Sequence, residues 1–275
     1  MPRLLALLGM LAGSVALAGC GGTDADGGPT VVAAFYPLAW AAGEVAGDRY
    51  RVVDLTPPGA EPHDVELSPR DVKSVRDADL VVYAGGGFQP AVENAVADRD
   101  GASLDVSGGE RDPHVWLDPV RFARTARSLG DALGRPAAGR RLATAIAALD
   151  REYETGLRSC ERRTLVSSHA AFGHLAARYG LTARSLAGTS PEAEPGPREL
   201  ERLVDDVREA GATAVFTEPL VSGRLAETVA REAGVDVATL DPIEGLSEER
   251  VQAGEDYLTV MRENLDGYRA ELGCR

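Results

Sequence analysis

Lysine, histidine and cysteine are scarce in this chain, and two of these shortages exclude particular kinds of chemistry. Lys73 is the only lysine among 275 residues, and it precedes the glycine-rich stretch 84–88, so the sequence has no Walker phosphate-binding loop. None of the four histidines is followed by glutamate, which excludes the HExxH motif of zinc proteases. A GxSxG nucleophile elbow is also absent. Because these motifs are absent, the sequence gives no support to ATP hydrolysis, zinc-protease or serine-esterase activity.

Positive charge is also in short supply. Against 29 basic residues there are 43 acidic ones, which gives a formal net charge of −14 and a pI of about 4.8. An acidic surface repels phosphate backbones, so we expect no nucleic-acid partner, and cations are more natural ligands. Hydrophobic residues make up 44% of the chain and charged residues 26%, as in a globular protein of one large domain or two lobes.

The N-terminus has the pattern of an export signal. Arg3 precedes an apolar run, 4–17, that is shorter than the roughly 20 residues needed to span a bilayer. The sequence LAGC ending at Cys20 resembles the lipobox of bacterial lipoproteins, in which the cysteine is lipidated and becomes the first mature residue. We therefore predict a signal peptide over 1–19, membrane attachment through Cys20 and a flexible tether over 20–29. A signal peptide cleaved at another site is the alternative.

The other two cysteines are Cys160 and Cys274. With Cys20 assigned to lipid, an even number remains, as expected for an exported protein. A disulfide between them would close a loop of more than a hundred residues and contribute roughly 4–5 kcal/mol in the chain-entropy model. The alternative is a pair of buried free thiols.

Short apolar runs alternate with amphipathic stretches from Thr30 onward, which predicts an α/β fold with parallel sheets. The predicted strands are 30–35, 51–55, 79–84, 102–106, 164–168, 182–186, 213–217 and 235–240. The predicted helices are near 38–46, 68–77, 90–98, 119–134, 136–160, 172–179, 198–210, 222–233 and 248–271. This order predicts an N-terminal lobe over 30–134, a linking helix over 135–160 and a C-terminal lobe over 161–275.

Four candidate ligands each follow a predicted strand. They are His63, His114, His169 and Asp241, two in each lobe. Ligands of open α/β sheets bind at the carboxyl ends of the strands, so the four side chains would converge if the lobes face each other across a cleft. Three imidazoles and one carboxylate suit tetrahedral zinc.

Each of the four has a structural alternative. His63 is also placed to cap the helix that begins near Ser68, and His114 to pack beside Trp116. His169 is also suited to a helix N-cap, and Asp241 to a turn. Four such positions together favour a metal site over four separate structural roles.

Two further residues lie near these positions. Glu218 also follows a strand and is a reserve ligand or a partner that orients an imidazole. His174 is five residues beyond His169, about 140° around a helix, so we expect a structural or auxiliary role for it.

Several ordered motifs together resemble the metal-specific solute-binding lipoproteins of bacterial ABC transporters, especially the zinc-uptake type (cluster A-I). They are GAEPHDVELSPRDV, DPHVWLDP, SSHAAFGHLAARYGL and VFTEPLVSGRLAETVAREAGVDVATLDPI. The resemblance runs from about Thr30 to the C-terminus. It implies two (β/α) lobes joined by a long rigid helix, with the metal in the cleft between them.

The same resemblance implies a function. His63, His114 and His169 would be the imidazole ligands and Asp241 the carboxylate. The protein would be an extracytoplasmic monomer that captures Zn²⁺ and delivers it to a permease, and not an enzyme. Manganese-type relatives usually carry glutamate in place of His169, so zinc is favoured over Mn²⁺.

Two departures from the family pattern leave alternatives open. The long His-rich loop of many zinc-type members is reduced to SGGERDP, and His174 stands where tyrosine is common. The alternatives are a manganese receptor, an exported zinc hydrolase with Glu218 as general base, and an adhesin or passive metal buffer.

Overall fold

In the part of the chain that the structure describes, eight strands form two separate parallel sheets of four strands each. The computed structural model describes residues 28–191 and 195–275, so the predicted signal peptide and Cys20 lie outside the described residues. The first sheet has the order β2–β1–β3–β4 and the second the order β6–β5–β7–β8. The strands are β1 (Thr30–Ala33), β2 (Arg51–Asp54), β3 (Leu80–Tyr83), β4 (Ala102–Asp105), β5 (Thr164–Ser167), β6 (Thr182–Ser185), β7 (Ala214–Thr217) and β8 (Asp236–Thr239). All eight predicted strands are confirmed, and so is the α/β fold with two lobes.

The sheets share one topology, and it determines where a ligand can bind. In each sheet the first strand pairs with both the second and the third, so the chain reverses its direction of travel across the sheet there. Such a switch point leaves a crevice at the carboxyl ends of the strands. The central strand β1 is fully buried at Val31, Val32 and Ala33, as expected for a parallel strand covered on both faces.

Within residues 28–191 and 195–275, ten α-helices connect and cover the strands. They are α1 (Tyr36–Ala46), α2 (Pro69–Asp77), α3 (Pro90–Ala97), α4 (Pro119–Ala132), α5 (Pro136–Gly156), α6 (Gly173–Arg178), α7 (Pro197–Glu209), α8 (Arg224–Ala233), α9 (Glu248–Gln252) and α10 (Tyr257–Leu272). Proline occupies the first turn of most of the long helices, where its missing N–H costs no hydrogen bond. Asp118 caps α4 by accepting hydrogen bonds from the backbone N–H groups of Val120 and Arg121.

The prediction of one helix over 248–271 is wrong, because two helices occupy that stretch. Gly254 has a φ of 76°, a left-handed conformation that ends α9. The Asp256 side chain then accepts a hydrogen bond from the backbone N–H of Thr259 and begins α10. Gly254 and Asp256 are therefore the sequence signals of this break.

Helix α5 links the two lobes. It packs against α1 and α4 of the first lobe and against α10 of the second. Gly130 of α4 and Gly139 of α5 meet so closely that a Cβ on Gly139 would lie 2.6 Å from the Ala126 carbonyl oxygen. This contact brings the α4 and α5 backbones together and fixes the orientation of the linking helix on the first lobe.

A disulfide joins Cys160 to Cys274, 114 residues apart. It connects the segment after α5 to the end of α10, and the same two residues form an isolated antiparallel bridge. Among the residues that the structure describes, no helix is both long enough and apolar enough to cross a bilayer.

Candidate metal centre

Four strand-end loops supply the side chains of the site. His63 lies in a short 3-10 turn after β2, and His114 immediately precedes another such turn after β4. His169 is two residues beyond β5, and Glu244 lies in the loop that follows β8. Because the strands are parallel, their carboxyl ends meet at one edge of each sheet, and the two edges face each other across the cleft.

The side chains converge on the carboxylate of Glu244. Its Oε1 atom lies 3.4 Å from His63 Nε2, 3.1 Å from His114 Nε2 and 3.3 Å from His169 Nε2. The four donor atoms all lie within 4.8 Å of one another. The side chains of His114 and His169 are fully buried, and those of His63 and Glu244 are 6% and 2% exposed. The group is therefore closed off from bulk water.

The arrangement fits a tetrahedral metal ion. Zinc with ligand bonds of about 2.0–2.1 Å has donor atoms about 3.3–3.4 Å apart along the edges of the tetrahedron. The three distances from Glu244 Oε1, 3.1–3.4 Å, match those edges. The Nε2 atoms of His63 and His114 are buried and form no hydrogen bond. A cation among the four donors would satisfy these atoms.

The predicted carboxylate ligand needs correction. Asp241 is buried, but it is not part of the donor group, whose carboxylate is Glu244. Asp241 Oδ1 instead accepts a hydrogen bond of 2.7 Å from the backbone N–H of Ile243. The carboxylate is thus used within its own loop, and the chain turns so that Glu244, three residues later, reaches the histidines.

The close contacts shift the ionisation of the group. Burial alone raises the pKa of Glu244, but its close contacts with the three imidazoles outweigh burial and hold that pKa well below its usual range. Burial lowers the pKa of His169, but contacts with Glu218 and Glu244 outweigh it and raise that pKa to about 10. Burial lowers the pKa of His114, but contacts with Asp112 and Glu244 outweigh it, so that pKa is raised. In the metal-free group, these shifts favour protonated His114 and His169 beside an ionised Glu244.

Carboxylates behind the histidines fix the orientation of two rings. Asp112 Oδ1 lies 2.8 Å from His114 Nδ1, and Glu218 Oε2 lies 2.6 Å from His169 Nδ1. Each contact directs the Nε2 atom of its ring toward the centre, as outer carboxylates do in many metal sites. The structure thus places Glu218 beside an imidazole and outside the donor group.

Backbone contacts position the ligand loops as well. Glu61 Oε1 accepts a hydrogen bond of 2.8 Å from the backbone N–H of His63, and Glu218 Oε1 accepts one of 3.2 Å from that of His169. His174 stays outside the donor group, and its Nε2 lies 2.9 Å from the Asp112 carbonyl oxygen. Because His174 belongs to the second lobe and Asp112 to the first, this contact also connects the lobes.

Sequence reasoning missed three residues of the site. Glu244 shares the strand-end loop of Asp241, so the rule that predicted Asp241 applies to it equally. Asp112 and Glu61 are each two residues before a ligand histidine, at the spacing at which a carboxylate accepts a hydrogen bond from the backbone N–H of that histidine. This local spacing was the available signal.

Comparisons with known proteins identify the family of this chain. The family model for the periplasmic component A of the zinc-uptake complex (ZnuA) matches residues 31–270. The zinc-binding protein AdcA of Streptococcus pyogenes serotype M1 is 32% identical, over 89% of this chain and 56% of its own length. The high-affinity zinc uptake system protein ZnuA of Bacillus subtilis is 27% identical, over 93% of each chain.

Solved structures also resemble this chain, over about nine tenths of its length. The Zn(II)-bound ZnuA-like domain of Streptococcus pneumoniae AdcA has a TM-score of 0.74 at 32% identity, covering 90% of this chain and 99% of that domain. The laminin-binding protein Lmb of Streptococcus agalactiae has a TM-score of 0.79 at 30% identity, covering 89% of this chain and all of its own. The chain spans less than two thirds of the length of the streptococcal AdcA relatives. On the family match and these relatives, the chain belongs to the ZnuA family of periplasmic zinc-uptake components.

Proposed function

We propose that this protein is an extracytoplasmic receptor that binds one Zn²⁺ ion and delivers it to the permease of an ABC transporter. His63, His114, His169 and Glu244 are the four ligands. The observation that carries the proposal is the match between the distances from Glu244 Oε1 to the three Nε2 atoms and the edges of a zinc tetrahedron.

The donor set favours zinc over manganese. Three imidazoles and one carboxylate are typical zinc ligands, whereas Mn²⁺ prefers oxygen-rich, six-coordinate sites. Four protein donors also complete a tetrahedral shell. Catalytic zinc usually retains an open position for water, so this arrangement suits binding and transport better than hydrolysis.

Export and anchoring complete the proposal. Cleavage before Cys20 and lipidation of that cysteine would tether residue 20 to the membrane, with 20–29 as the spacer. The lobes would then be 30–134 and 161–275, with 135–160 as the linking segment. In support, the related protein of Streptococcus pneumoniae serotype 4 is described as a zinc-binding lipoprotein. The protein would act as a monomer, with the permease as its partner.

Native mass spectrometry combined with elemental analysis tests the binding. Wild-type protein is expected to hold one zinc ion, and His114→Ala to lose most of it at the same free zinc concentration. Glu209→Gln, at the exposed C-terminal end of α7, is the matched control and keeps one ion. Equal zinc content in wild type and His114→Ala contradicts the ligand assignment.

Growth under zinc limitation tests the transport. A strain that lacks this protein should grow poorly when zinc is chelated, and the wild-type gene should restore growth. His114→Ala should not restore it. Rescue by His114→Ala contradicts zinc receptor function, and normal growth of the deletion strain under chelation excludes uptake as the role of the protein.

A further inference from the structure

Asn264 and Trp116 hold the loop that carries Glu244 through hydrogen bonds to its backbone. Asn264 on α10 is buried and binds the main chain of Asp241 in both directions. Its Oδ1 accepts a hydrogen bond of 2.8 Å from the Asp241 N–H, and its Nδ2 donates one of 2.6 Å to the Asp241 carbonyl oxygen. The indole Nε1 of Trp116 donates a hydrogen bond of 2.7 Å to the Pro242 carbonyl oxygen. The first two residues of the loop are thus fixed through their backbone.

Ile243, the residue immediately before Glu244, has a left-handed backbone. Its φ is 57°, and it is the only non-glycine residue with positive φ in the part of the chain that the structure describes. This conformation is strained for a β-branched side chain, and it persists only where the surroundings enforce it. The Ile243 side chain is fully buried, so packing holds the residue in place.

Asp241 supplies the contact that bends the loop at this point. Its Oδ1 accepts a hydrogen bond of 2.7 Å from the Ile243 N–H, as in the side-chain turns that aspartate and asparagine form with the backbone two residues later. Its Oδ2 lies 4.0 Å from a terminal nitrogen of Arg250. Both oxygens are therefore directed to neighbouring protein groups, and neither belongs to the donor group.

We propose that Asp241 is the positioning residue for Glu244. Its Oδ1 holds Ile243 in the left-handed conformation, and that conformation directs the Glu244 carboxylate at the three imidazoles. The required property is a hydrogen-bond acceptor at this position, not a negative charge. This inference rests on the proposed zinc-binding function, because its effect is measured as zinc binding.

Two substitutions separate the acceptor from the charge. Asp241→Asn and Asp241→Ala both remove the carboxylate charge, but only asparagine retains a carbonyl oxygen that can accept from the Ile243 N–H. The hydrogen bonds from Asn264 and Trp116 reach main-chain atoms and remain available in both variants. We expect Asp241→Ala to bind zinc about 10- to 100-fold more weakly than Asp241→Asn, the usual effect of losing an outer partner of a metal ligand.

Chelator competition measures the affinities, and the absorption spectrum of the Co²⁺-loaded protein reports the ligand geometry. The visible bands of Asp241→Asn should match the wild type, and those of Asp241→Ala should shift. Equal affinities and equal spectra for the two variants overturn the proposal. If both variants lose zinc as completely as Glu244→Gln does, Asp241 is itself a ligand and the proposal is also overturned.

A glycine substitution provides a second pair of variants. Glycine adopts positive φ without strain, so Ile243→Gly in the Asp241→Ala background should recover part of the lost affinity. If Asp241→Ala alone does not fold, the comparison is made between Asp241→Ala and Asp241→Asn in the Ile243→Gly background. There the asparagine variant should still bind more tightly, and equal affinity again overturns the proposal.

The proposed function and the positioning role fail in different ways. Wild-type zinc affinity in His114→Ala and Glu244→Gln would remove the zinc site itself. Loss of affinity in those two variants, together with identical behaviour of Asp241→Asn and Asp241→Ala, would leave the zinc site intact and remove only the positioning role.

Discussion

The indole Nε1 of Trp116 donates a hydrogen bond of 2.7 Å to the carbonyl oxygen of Pro242, a residue 126 positions later in the chain. Trp116 lies beside His114 in the first lobe, and Pro242 lies beside Glu244 in the second. A second connection runs from the Gly59 N–H to the Leu246 carbonyl oxygen, at 2.8 Å. Ligand loops of opposite lobes are thus joined directly to one another.

Trp116→Phe should accelerate zinc release. The substitution retains an aromatic ring but removes the N–H, which leaves the buried Pro242 carbonyl without its partner at a cost of about 1–3 kcal/mol. If the contact exists only when the lobes are closed, the dissociation rate of zinc rises about 5- to 150-fold. Stopped-flow transfer of zinc to a chromogenic chelator measures this rate.

Trp40→Phe is the control for that experiment. Trp40 stacks on Phe122 and Tyr257, and its substitution removes an indole without removing the Pro242 contact. Equal release rates for Trp116→Phe and the wild type would show that the Trp116–Pro242 hydrogen bond does not retain the metal.

Zinc affinity should fall steeply as the pH is lowered. The pKa of His169 is raised to about 10, so this ring is an imidazolium in the metal-free protein at neutral pH, and the raised pKa of His114 favours the same form. Zinc must displace these protons, so each one weakens binding by about tenfold for every pH unit below the pKa. The slope of log Kd against pH, measured by competition between pH 5.5 and 7.5, should therefore correspond to at least one displaced proton, that of His169.

The contribution of His169 to the stability of the metal-free protein should instead decrease as the pH rises. Because the folded-state pKa of His169 is raised above 6.5, its contribution to stability is fully present below about pH 6.5 and is lost as pH rises toward about 10. Denaturant unfolding of the metal-free protein across this range measures it. A pH-independent zinc affinity together with a pH-independent unfolding free energy would contradict the assignment of protons to these rings.

His174→Phe should weaken zinc retention although His174 is not a ligand. Its Nε2 contacts the Asp112 carbonyl oxygen at 2.9 Å, and Asp112 orients His114 through its own side chain. Removal of the contact frees the Asp112 loop from α6, and the zinc dissociation rate is expected to rise about tenfold. His174→Gln, which retains an N–H donor, should release zinc more slowly than His174→Phe. Identical release rates in both variants and the wild type would assign His174 to packing alone.

Reduction of the Cys160–Cys274 disulfide should lower stability without changing the zinc content. In the chain-entropy model, a closed loop of 114 residues contributes about 4–5 kcal/mol. The Cys160→Ala/Cys274→Ala variant should show the same lower melting temperature, and it should not respond to reductant. An unchanged melting temperature of the wild type on reduction would contradict this contribution.

The sequence was sufficient for the architecture because strand-end positions follow from periodicity alone. Val31, Val32 and Ala33 are buried on both faces of a parallel strand, and such apolar runs are visible without coordinates. The same rule located His63, His114 and His169, since each follows a strand. The helix break at Gly254 was missed because Gly254 and Asp256, which end α9 and begin α10, were included in one predicted helix.

The choice between Asp241 and Glu244 lay beyond the sequence pattern. Both carboxylates occupy one strand-end loop, and which of them faces the histidines depends on the backbone conformation of Ile243 between them. A left-handed isoleucine is unusual enough that no local preference predicts it. Asn264 and Trp116, from distant parts of the chain, hold the first two residues of this loop, and the Asp241 side chain holds Ile243.

The zinc-edge anomalous difference map of a crystal of the zinc-loaded protein tests the central claim most directly. The account predicts one strong peak about 2.0–2.1 Å from the Nε2 atoms of His63, His114 and His169 and from a carboxylate oxygen of Glu244. A peak bound by Asp241 in place of Glu244, or no peak among the three histidines, would contradict it.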